Sequence, residues 1–376
     1  GSRIQGQDDR TEKYAAGLVR KRRNTKTYRS VMKEKTILNL ICKWRAELMG
    51  AAILWVVLFH AGFQFRGVFF DTVQAIGYGG VDIFFLLSGI GLYYSLKKSD
   101  ELLLFYKRRA RRIFPSYLPF ILIWCIYMLH GSSYPGDTIA RIVAGNLFMT
   151  GWVADIGLQF NWYVQVIFWV YLLAPLFYKM IVAATKKWHY GVILLWALLL
   201  GVAFWCDDNH LLGVSRLPVF LLGMMWAHAG NASDKENTDG KPDVGGKNAI
   251  LLILLAVAGM VLLLACYFNF PRETMWAYGL WWYPFLITPG LCLVICLLLE
   301  AMDKVKGLRQ LRKPLALLGT ASFEIYLIHI AAFEIVPDYI WVTLNKRWLV
   351  LVLASILVGI GYHLLVECIM RKWRFK

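Results

Sequence analysis

The chain contains 376 residues, of which 59% are hydrophobic, 15% aromatic and 17% charged. Soluble domains are about 45–50% apolar and about 25% charged, so this composition excludes an ordinary water-soluble globule. The formal net charge is +17. In a soluble protein that charge would suggest nucleic acid, but in a membrane protein Lys and Arg collect in cytoplasmic loops. We therefore expect a membrane protein without a nucleic-acid partner.

Ten stretches of the chain are long and apolar enough to be transmembrane helices, each of which needs about 20 residues. The predicted fold class is therefore all-α, a polytopic bundle of about ten transmembrane helices. In chain order, the predicted spans are residues 48–66, 79–96, 113–131, 160–182, 189–206, 211–230, 249–268, 279–300, 314–334 and 348–369.

The basic residues predict the orientation of the chain. If the N-terminus is cytoplasmic, the segments on the inner side hold 35 of the 41 Lys and Arg residues, with Lys179 assigned to its nearest loop. This asymmetry favours two cytoplasmic termini. The basic N-terminal residues before the first span fit either an interfacial helix on anionic membrane lipids or a solvated tail. The predicted parts are a basic extension (1–47), a membrane domain (48–369) with a cytoplasmic linker (231–248), a re-entrant or interfacial segment (132–159) and a basic tail (370–376).

Ionisable side chains within apolar spans are costly, so each of them is a functional candidate. His60 lies in the first predicted span, Asp82 in the second and His329 in the ninth. The predicted directions of these spans bring all three towards the outer side, where Trp162 and Tyr163 open the fourth span. A neutral imidazole can act as a general base, and a carboxylate such as Asp82 can orient it.

A second polar zone is predicted at the inner side. It contains Arg45 and the run Arg108, Arg109, Arg111 and Arg112 before the third span. Guanidinium groups bind phosphates through charge-assisted hydrogen bonds, as an acyl-CoA donor would require. Two stacked zones of this kind are compatible with acyl transfer across a membrane. Structural alternatives remain for each group: a helix–helix hydrogen bond for the histidine, positive-inside placement for the arginines and an aromatic belt for the Trp–Tyr pair.

The seven cysteines are scattered, mostly within predicted spans. Cys292 and Cys296 are one helical turn apart, but no second pair or nearby histidine completes a metal-binding pattern. We therefore predict no metal site and interpret the cysteines as small apolar residues.

Five segments, in order, resemble the motifs of a known family. They read ELMGAAILWVVLFHAG, GYGGVDIFFLLSG, FYKRRARRIFPSYL, NWYVQVIFWVYLLAPL and SFEIYLIHI. From about residue 45 to residue 369, the chain resembles the acyltransferase-3 family of integral membrane acyltransferases. The resemblance implies transfer of an acyl group, often acetyl, from cytoplasmic acyl-CoA to a hydroxyl of an extracytoplasmic or lipid-linked glycan. It also implies a multi-pass protein of the bacterial plasma (inner) membrane.

The resemblance also implies roles for individual residues. His60 is the expected catalytic base, and Arg109 and Arg112 are expected to bind the donor phosphates. One departure concerns an arginine that the family usually has eleven positions before the histidine, where this chain has Met49. The full set of expected residues is His60, Asp82 and His329 for catalysis, Arg45, Arg108, Arg109 and Arg112 for the donor, and Ser88, Trp162, Tyr163, Glu324 and Tyr326 for the substrate pocket.

Arg45 lies four residues before Met49 and therefore one turn away on the same face of a helix. We hypothesise that Arg45 supplies the missing guanidinium, and the alternative is altered donor handling or loss of activity. Two other functions remain open: a transporter or flippase that uses His60 and Asp82 as a proton relay, and a non-catalytic sensor or transport module. A homo-oligomer is compatible with the sequence, which does not identify the acceptor.

Overall fold

The computed structural model describes residues 37–64, 67–98, 101–131, 135–156, 161–204, 207–236, 246–269, 283–335 and 344–374. These residues form an all-helical bundle, and no strand occurs among them. The α-helices are α1 (Ile37–Lys43), α2 (Arg45–His60), α3 (Val68–Ala75), α4 (Gly79–Lys97), α5 (Leu102–Gly131), α6 (Gly136–Leu147), α7 (Trp162–Val182), α8 (Lys187–Ala203), α9 (Asp208–Val214), α10 (Leu217–Glu236), α11 (Gly246–Asn269), α12 (Tyr283–Lys304), α13 (Arg312–Thr320), α14 (Ser322–Ile335) and α15 (Leu344–Arg374), and a short 3₁₀ helix (Leu308–Leu311) precedes α13.

Each predicted span coincides with helical structure, but the count of about ten spans is not confirmed. Within the described parts of the chain, six helical stretches are long and apolar enough to cross a membrane: α4, α7, α11, α12, α15 and the stretch Asn209–Gly230. The ninth predicted span is a helix pair, α13 and α14, bent by 70° at Ala321. The first corresponds to α2, which has only 16 residues.

The position of each helix in the bundle explains its composition. In the most apolar part of α4, 72% of the residues are buried, and α4 packs against α2, α7, α10 and α12. In the corresponding part of α11 only 11% are buried, although this helix is also strongly apolar. A helix that exposes apolar side chains on most of its surface requires an apolar solvent. The bundle is therefore that of a membrane protein, with α4 at its centre.

Glycine allows the central helices to approach closely. A Cβ atom added to Gly89 of α4 would lie 2.1 Å from the carbonyl oxygen of Phe220 in α10, and one added to Gly50 of α2 would lie 2.0 Å from that of Leu315 in α13. Both positions require glycine because any side chain would overlap the neighbouring backbone. Small residues at crossings let membrane helices pack through their backbones. Such crossings fix α2 and α4, which both carry candidate residues.

The segment predicted as re-entrant or interfacial, 132–159, contains α6 and a turn that follows it. Buried amides tie it to the bundle. The Asn161 Nδ2 group donates to Oδ1 of Asn146 at 2.6 Å and to the Tyr117 hydroxyl at 2.9 Å. Gln165 Nε2 donates to Asn161 Oδ1 at 3.0 Å. The segment is thus hydrogen-bonded to α5 and α7, whereas residues 132–134 and 157–160 lie outside the described residues.

Most of the predicted extension, residues 1–36, lies outside the described residues. Its last part forms α1 and the start of α2. The side chains of Lys43 and Trp44 both donate to the Glu300 carboxylate of α12, and the Arg312 guanidinium lies 4.3 Å from the Trp44 ring centroid. The predicted linker 231–248 overlaps the ends of α10 and α11, and its residues 237–245 are also outside the described part, as are residues 375–376 of the predicted tail.

Candidate active site

A cavity of about 250 Å³ lies inside the bundle between α2, α4, α5, α7 and α14. On α2 its wall runs from Arg45 to Val56. Eleven residues at a rise of 1.5 Å span about 16 Å, so the cavity is an elongated channel parallel to the helices. We call its two ends the arginine end, formed by Arg45, Arg109 and Arg112, and the histidine end, formed by Val56, Val81, Tyr163 and Tyr326 next to His60 and His329.

The arginine end contains guanidinium groups with unused hydrogen-bonding capacity. Arg45 Nη1 donates to the Leu87 carbonyl at 2.6 Å. Arg109 Nη2 donates a long hydrogen bond to Ser95 Oγ at 3.4 Å, and its buried Nε has no hydrogen-bond partner among the described residues. Arg108 does not line the channel, but its Nε and Nη2 atoms are also buried and have no hydrogen-bond partner among the described residues. This end can therefore accept an anion.

At the histidine end, the two predicted histidines contact each other. His60 Nδ1 lies 2.9 Å from the Val56 carbonyl oxygen, and His329 Nδ1 lies 3.0 Å from that of Ile325. Because a carbonyl oxygen only accepts hydrogen bonds, both Nδ1 atoms carry the proton of the neutral ring. His329 Nε2 lies 3.4 Å from His60 Nδ1 as a second acceptor. His60 Nε2 is therefore the unprotonated nitrogen, as a general base requires.

A continuous row of rings joins the channel to these histidines. The ring centroids of Tyr163 and Tyr326 are 5.1 Å apart, those of Tyr326 and His329 5.5 Å, and those of His329 and His60 5.2 Å. His329 is completely buried, whereas His60 is exposed at the end of α2. Val56, the last channel residue on α2, lies one helical turn before His60. His60 thus stands between the channel and the surface of the bundle.

Asp82 does not contact His60 among the described contacts, which differs from the predicted pairing. Its Oδ1 lies 3.3 Å from Nε of Arg216, and both side chains are at most 1% exposed. Arg216 also lies 5.5 Å from the Trp162 ring centroid. A buried carboxylate needs a cation nearby, and the start of α10 supplies it to the first turn of α4. The polar contacts of His60 are instead with His329 Nε2 and the Val56 carbonyl oxygen.

Arg216 is the residue that sequence reasoning missed. It lies inside the predicted span 211–230 but is not among the residues that the sequence analysis singles out. The same cost of burying charge that singled out His60 and Asp82 would have marked it.

The remaining predicted residues divide into two groups. Ser88 lines the channel, as do Tyr163 and Tyr326. Glu324 does not line the channel. Its carboxylate instead accepts a hydrogen bond from Ser116 Oγ at 2.5 Å and contacts His363 Nδ1 at 3.1 Å. Of the twelve predicted site residues, the channel wall contains Arg45, Ser88, Arg109, Arg112, Tyr163 and Tyr326.

The described residues contain no group of three or more His, Cys, Asp or Glu side chains placed to hold a metal ion. Cys292 and Cys296 are both buried in the core.

An acyltransferase-domain model, that of the acyltransferase-3 family, matches residues 50–364. The chain belongs to this family. Relatives include the O-acetyltransferase OatA of Staphylococcus aureus strains NCTC 8325, COL and MRSA252, each 22% identical over 365 residues. The alignment covers 88% of this chain and 57% of each relative, so the chain spans little more than half the length of these curated relatives. No solved structure matched the chain.

Family membership and the apolar helices together support a membrane protein that contains an acyltransferase domain.

Proposed function

We propose that this protein is a transmembrane O-acyltransferase that moves an acyl group, acetyl in the first instance, from cytoplasmic acyl-CoA to a hydroxyl of an extracytoplasmic or lipid-linked glycan. The observation that carries the proposal is the single channel. It leads from three arginines towards a histidine pair, and on α2 its wall ends at Val56, one helical turn before His60. The name of the staphylococcal relatives supports transfer of acetyl to oxygen.

The donor fits the channel in one direction. Its phosphates bind Arg109 and Arg112, and its extended pantetheine arm follows the channel towards Tyr163 and Tyr326. The volume of about 250 Å³ lies below the roughly 300–1,000 Å³ of sites that enclose a drug-sized ligand. The channel therefore takes the arm and the acyl group, and the nucleotide stays at the arginine end.

Arg45 replaces the guanidinium that the family usually has at the position of Met49. Both side chains line the channel. Arg45 approaches α4 at Gly91, where an added Cβ would lie 3.2 Å from its Nη1. Its hydrogen bond to the Leu87 carbonyl holds the group in the wall, and other N–H groups remain for the donor.

The chemistry is a direct transfer in which His60 handles the proton. His60 Nε2 takes the proton of the acceptor hydroxyl as its oxygen attacks the thioester carbonyl. The new C–O bond forms, the C–S bond breaks, and the imidazolium returns the proton to the departing thiolate. His329 accepts from His60 Nδ1–H and so holds the ring in the required tautomer.

The proposed orientation places the arginine end and both termini on the cytoplasmic side of a bacterial inner membrane. His60 then faces the outer side, and its exposure gives a hydroxyl-bearing acceptor access to Nε2. Membrane lipids surround the exposed apolar faces of α11 and α15. The positive-inside distribution supports this orientation because most basic residues fall in the predicted inner segments.

The test uses inside-out membrane vesicles that contain the protein and receive radiolabelled acetyl-CoA. We expect CoA release and alkali-labile label in the glycan fraction. His60→Ala should reduce both by about 10²–10⁴-fold, the usual contribution of a general base. His189→Ala is the matched control, because His189 lies at the start of α8, away from the channel.

Three outcomes contradict the proposal. Undiminished transfer by the His60→Ala protein would remove the base. Movement of a glycan across the vesicle membrane without CoA release would favour the transporter or flippase. Absence of any thioester cleavage, with signalling or transport retained in the His60→Ala strain, would favour a non-catalytic sensor or transport module.

A further inference from the structure

We infer that the histidine end of the channel restricts the donor to short acyl groups, with Val56 and Val81 as the side chains that set the limit. This inference rests on the proposed function and names the donor class of the same site.

Four helices contribute the channel wall at the histidine end. The wall residues nearest the histidines are Val56 on α2, Val81 on α4, Tyr163 on α7 and Tyr326 on α14. Val56 is 1% exposed and Val81 5%, so both side chains are enclosed by the bundle where they line the channel. The acyl carbons of a donor that follows the channel must therefore lie among these four side chains.

Next to this end of the channel, a row of aromatic rings on α14 packs together. Phe333 lies 5.6 Å from His329 between ring centroids, and His329 is in turn 5.5 Å from Tyr326. Protein interiors are packed as densely as organic crystals, so a longer chain has to displace these rings. The pantetheine arm occupies the opposite direction, towards the arginines.

The steric limit predicts a graded loss of rate along the donor series. One extra methylene in a filled hydrophobic pocket typically changes kcat/KM by about 10–200-fold. We therefore expect propionyl-CoA to be a weaker donor than acetyl-CoA by a factor in this range. Butyryl-CoA and hexanoyl-CoA should fall further.

The experiment compares acetyl-, propionyl-, butyryl- and hexanoyl-CoA as donors for the full chain in inside-out vesicles. Both CoA release and ester formation are measured. Val56→Ala removes carbon atoms from the end of the channel and should raise the propionyl-to-acetyl ratio of kcat/KM by about tenfold or more. Val57→Ala is the matched control, since Val57 is equally buried on the same helix but does not line the channel. Val81→Ala is a second variant from a different helix and guards against misfolding of the first.

The outcomes separate this inference from the proposed function. If no donor is used by the wild-type protein, the proposed function fails. If butyryl-CoA and acetyl-CoA are used equally well, transfer stands and the length limit is overturned. Equal shifts in Val56→Ala and Val57→Ala would also overturn it, because the channel wall would then have no special role. A raised ratio in both Val56→Ala and Val81→Ala, with Val57→Ala unchanged, supports it.

Discussion

The bundle holds buried arginines in two contrasting ways. Arg216 is enclosed with Asp82, both at most 1% exposed, and its guanidinium also donates to the Leu212 carbonyl and to Ser215 Oγ. Arg109, beside the channel, has a long hydrogen bond to Ser95, contacts with two rings and a buried Nε without a partner in the described structure. Arg216 has its countercharge inside the protein, whereas Arg109 has none among the residues that the structure describes.

The difference separates structure from ligand binding. A buried ion pair holds helices in register, but its charges are not available to a ligand. An arginine beside an open cavity, with hydrogen-bonding capacity left over, is suited to an anion that arrives from outside. By this criterion the Asp82–Arg216 pair joins α4 to α10, and Arg109 belongs to the donor site.

The sharpest test of the comparison is Arg216→Met. It leaves the Asp82 carboxylate buried without a cation, and removing one partner of a buried pair costs about 3–5 kcal/mol of stability. Thermal unfolding in detergent measures the change. The double variant Asp82→Asn/Arg216→Met should recover most of the loss because no charge remains buried. If the double variant is as unstable as Arg216→Met, the pair does not stabilise the bundle in this way.

Arg109→Met tests the other side of the comparison. Loss of hydrogen bonds to a charged group, worth about 1.5–3 kcal/mol, should raise the KM for acetyl-CoA by roughly tenfold to a hundredfold. The fold should remain, because this arginine has no buried countercharge to abandon. Arg309→Met is the control: that side chain is 68% exposed and pairs with Asp303 at 3.4 Å, away from the channel. Equal KM values for both variants would exclude Arg109 from donor binding.

Glu324→Gln asks whether a carboxylate outside the channel wall affects the donor. Ser116 and His363 both lose a charged partner, so we expect a destabilisation of about 1–2 kcal/mol. The KM for acetyl-CoA should not change. A clear rise in KM without loss of stability would instead assign Glu324 to the substrate pocket, as the sequence analysis expects.

The smallest effect is expected at an exposed pair. Arg371 Nη2 lies 2.8 Å from Glu367 Oε2, one helical turn away, and both side chains are largely exposed. Such pairs contribute about 0.3–0.5 kcal/mol, so Arg371→Ala should barely change the unfolding temperature. The small difference should shrink further in high salt, because exposed charges are screened. A loss comparable to that of Arg216→Met would contradict the distinction between buried and exposed arginines.

Much of this arrangement could be predicted from sequence because apolar length and charge cost are local properties. They located every long helix and drew attention to His60, Asp82 and His329. Depth in the predicted spans also grouped His60 with His329, which are in contact in the structure. The pairing of side chains could not be predicted, because contacts such as Asp82 with Arg216 join residues 134 positions apart and depend on how α4 and α10 cross.

The bend between α13 and α14 was also beyond sequence reasoning. The stretch 314–334 is long and apolar enough to be predicted as one span, and the 70° turn at Ala321 arises where α13 packs closely against α2. The position of Glu324 depends on that bend, since it directs α14 towards α5 and α15. Glu324 is among the residues expected in the substrate pocket, but the sequence does not indicate which neighbours it contacts.

Helix α2 carries Arg45 at its first residue and His60 at its last. One rigid segment therefore fixes both the separation and the angular phase of the two chemical groups. Inserting a single residue between them would turn His60 by about 100° and carry it off its face, which a point substitution does not do. An insertion of a whole turn would preserve the phase and lengthen the path by about 5.4 Å. Insertions into this helix should therefore be tolerated when they add whole turns, and not when they add a single residue. The same constraint would apply to natural insertions and to engineered chimaeras of this bundle.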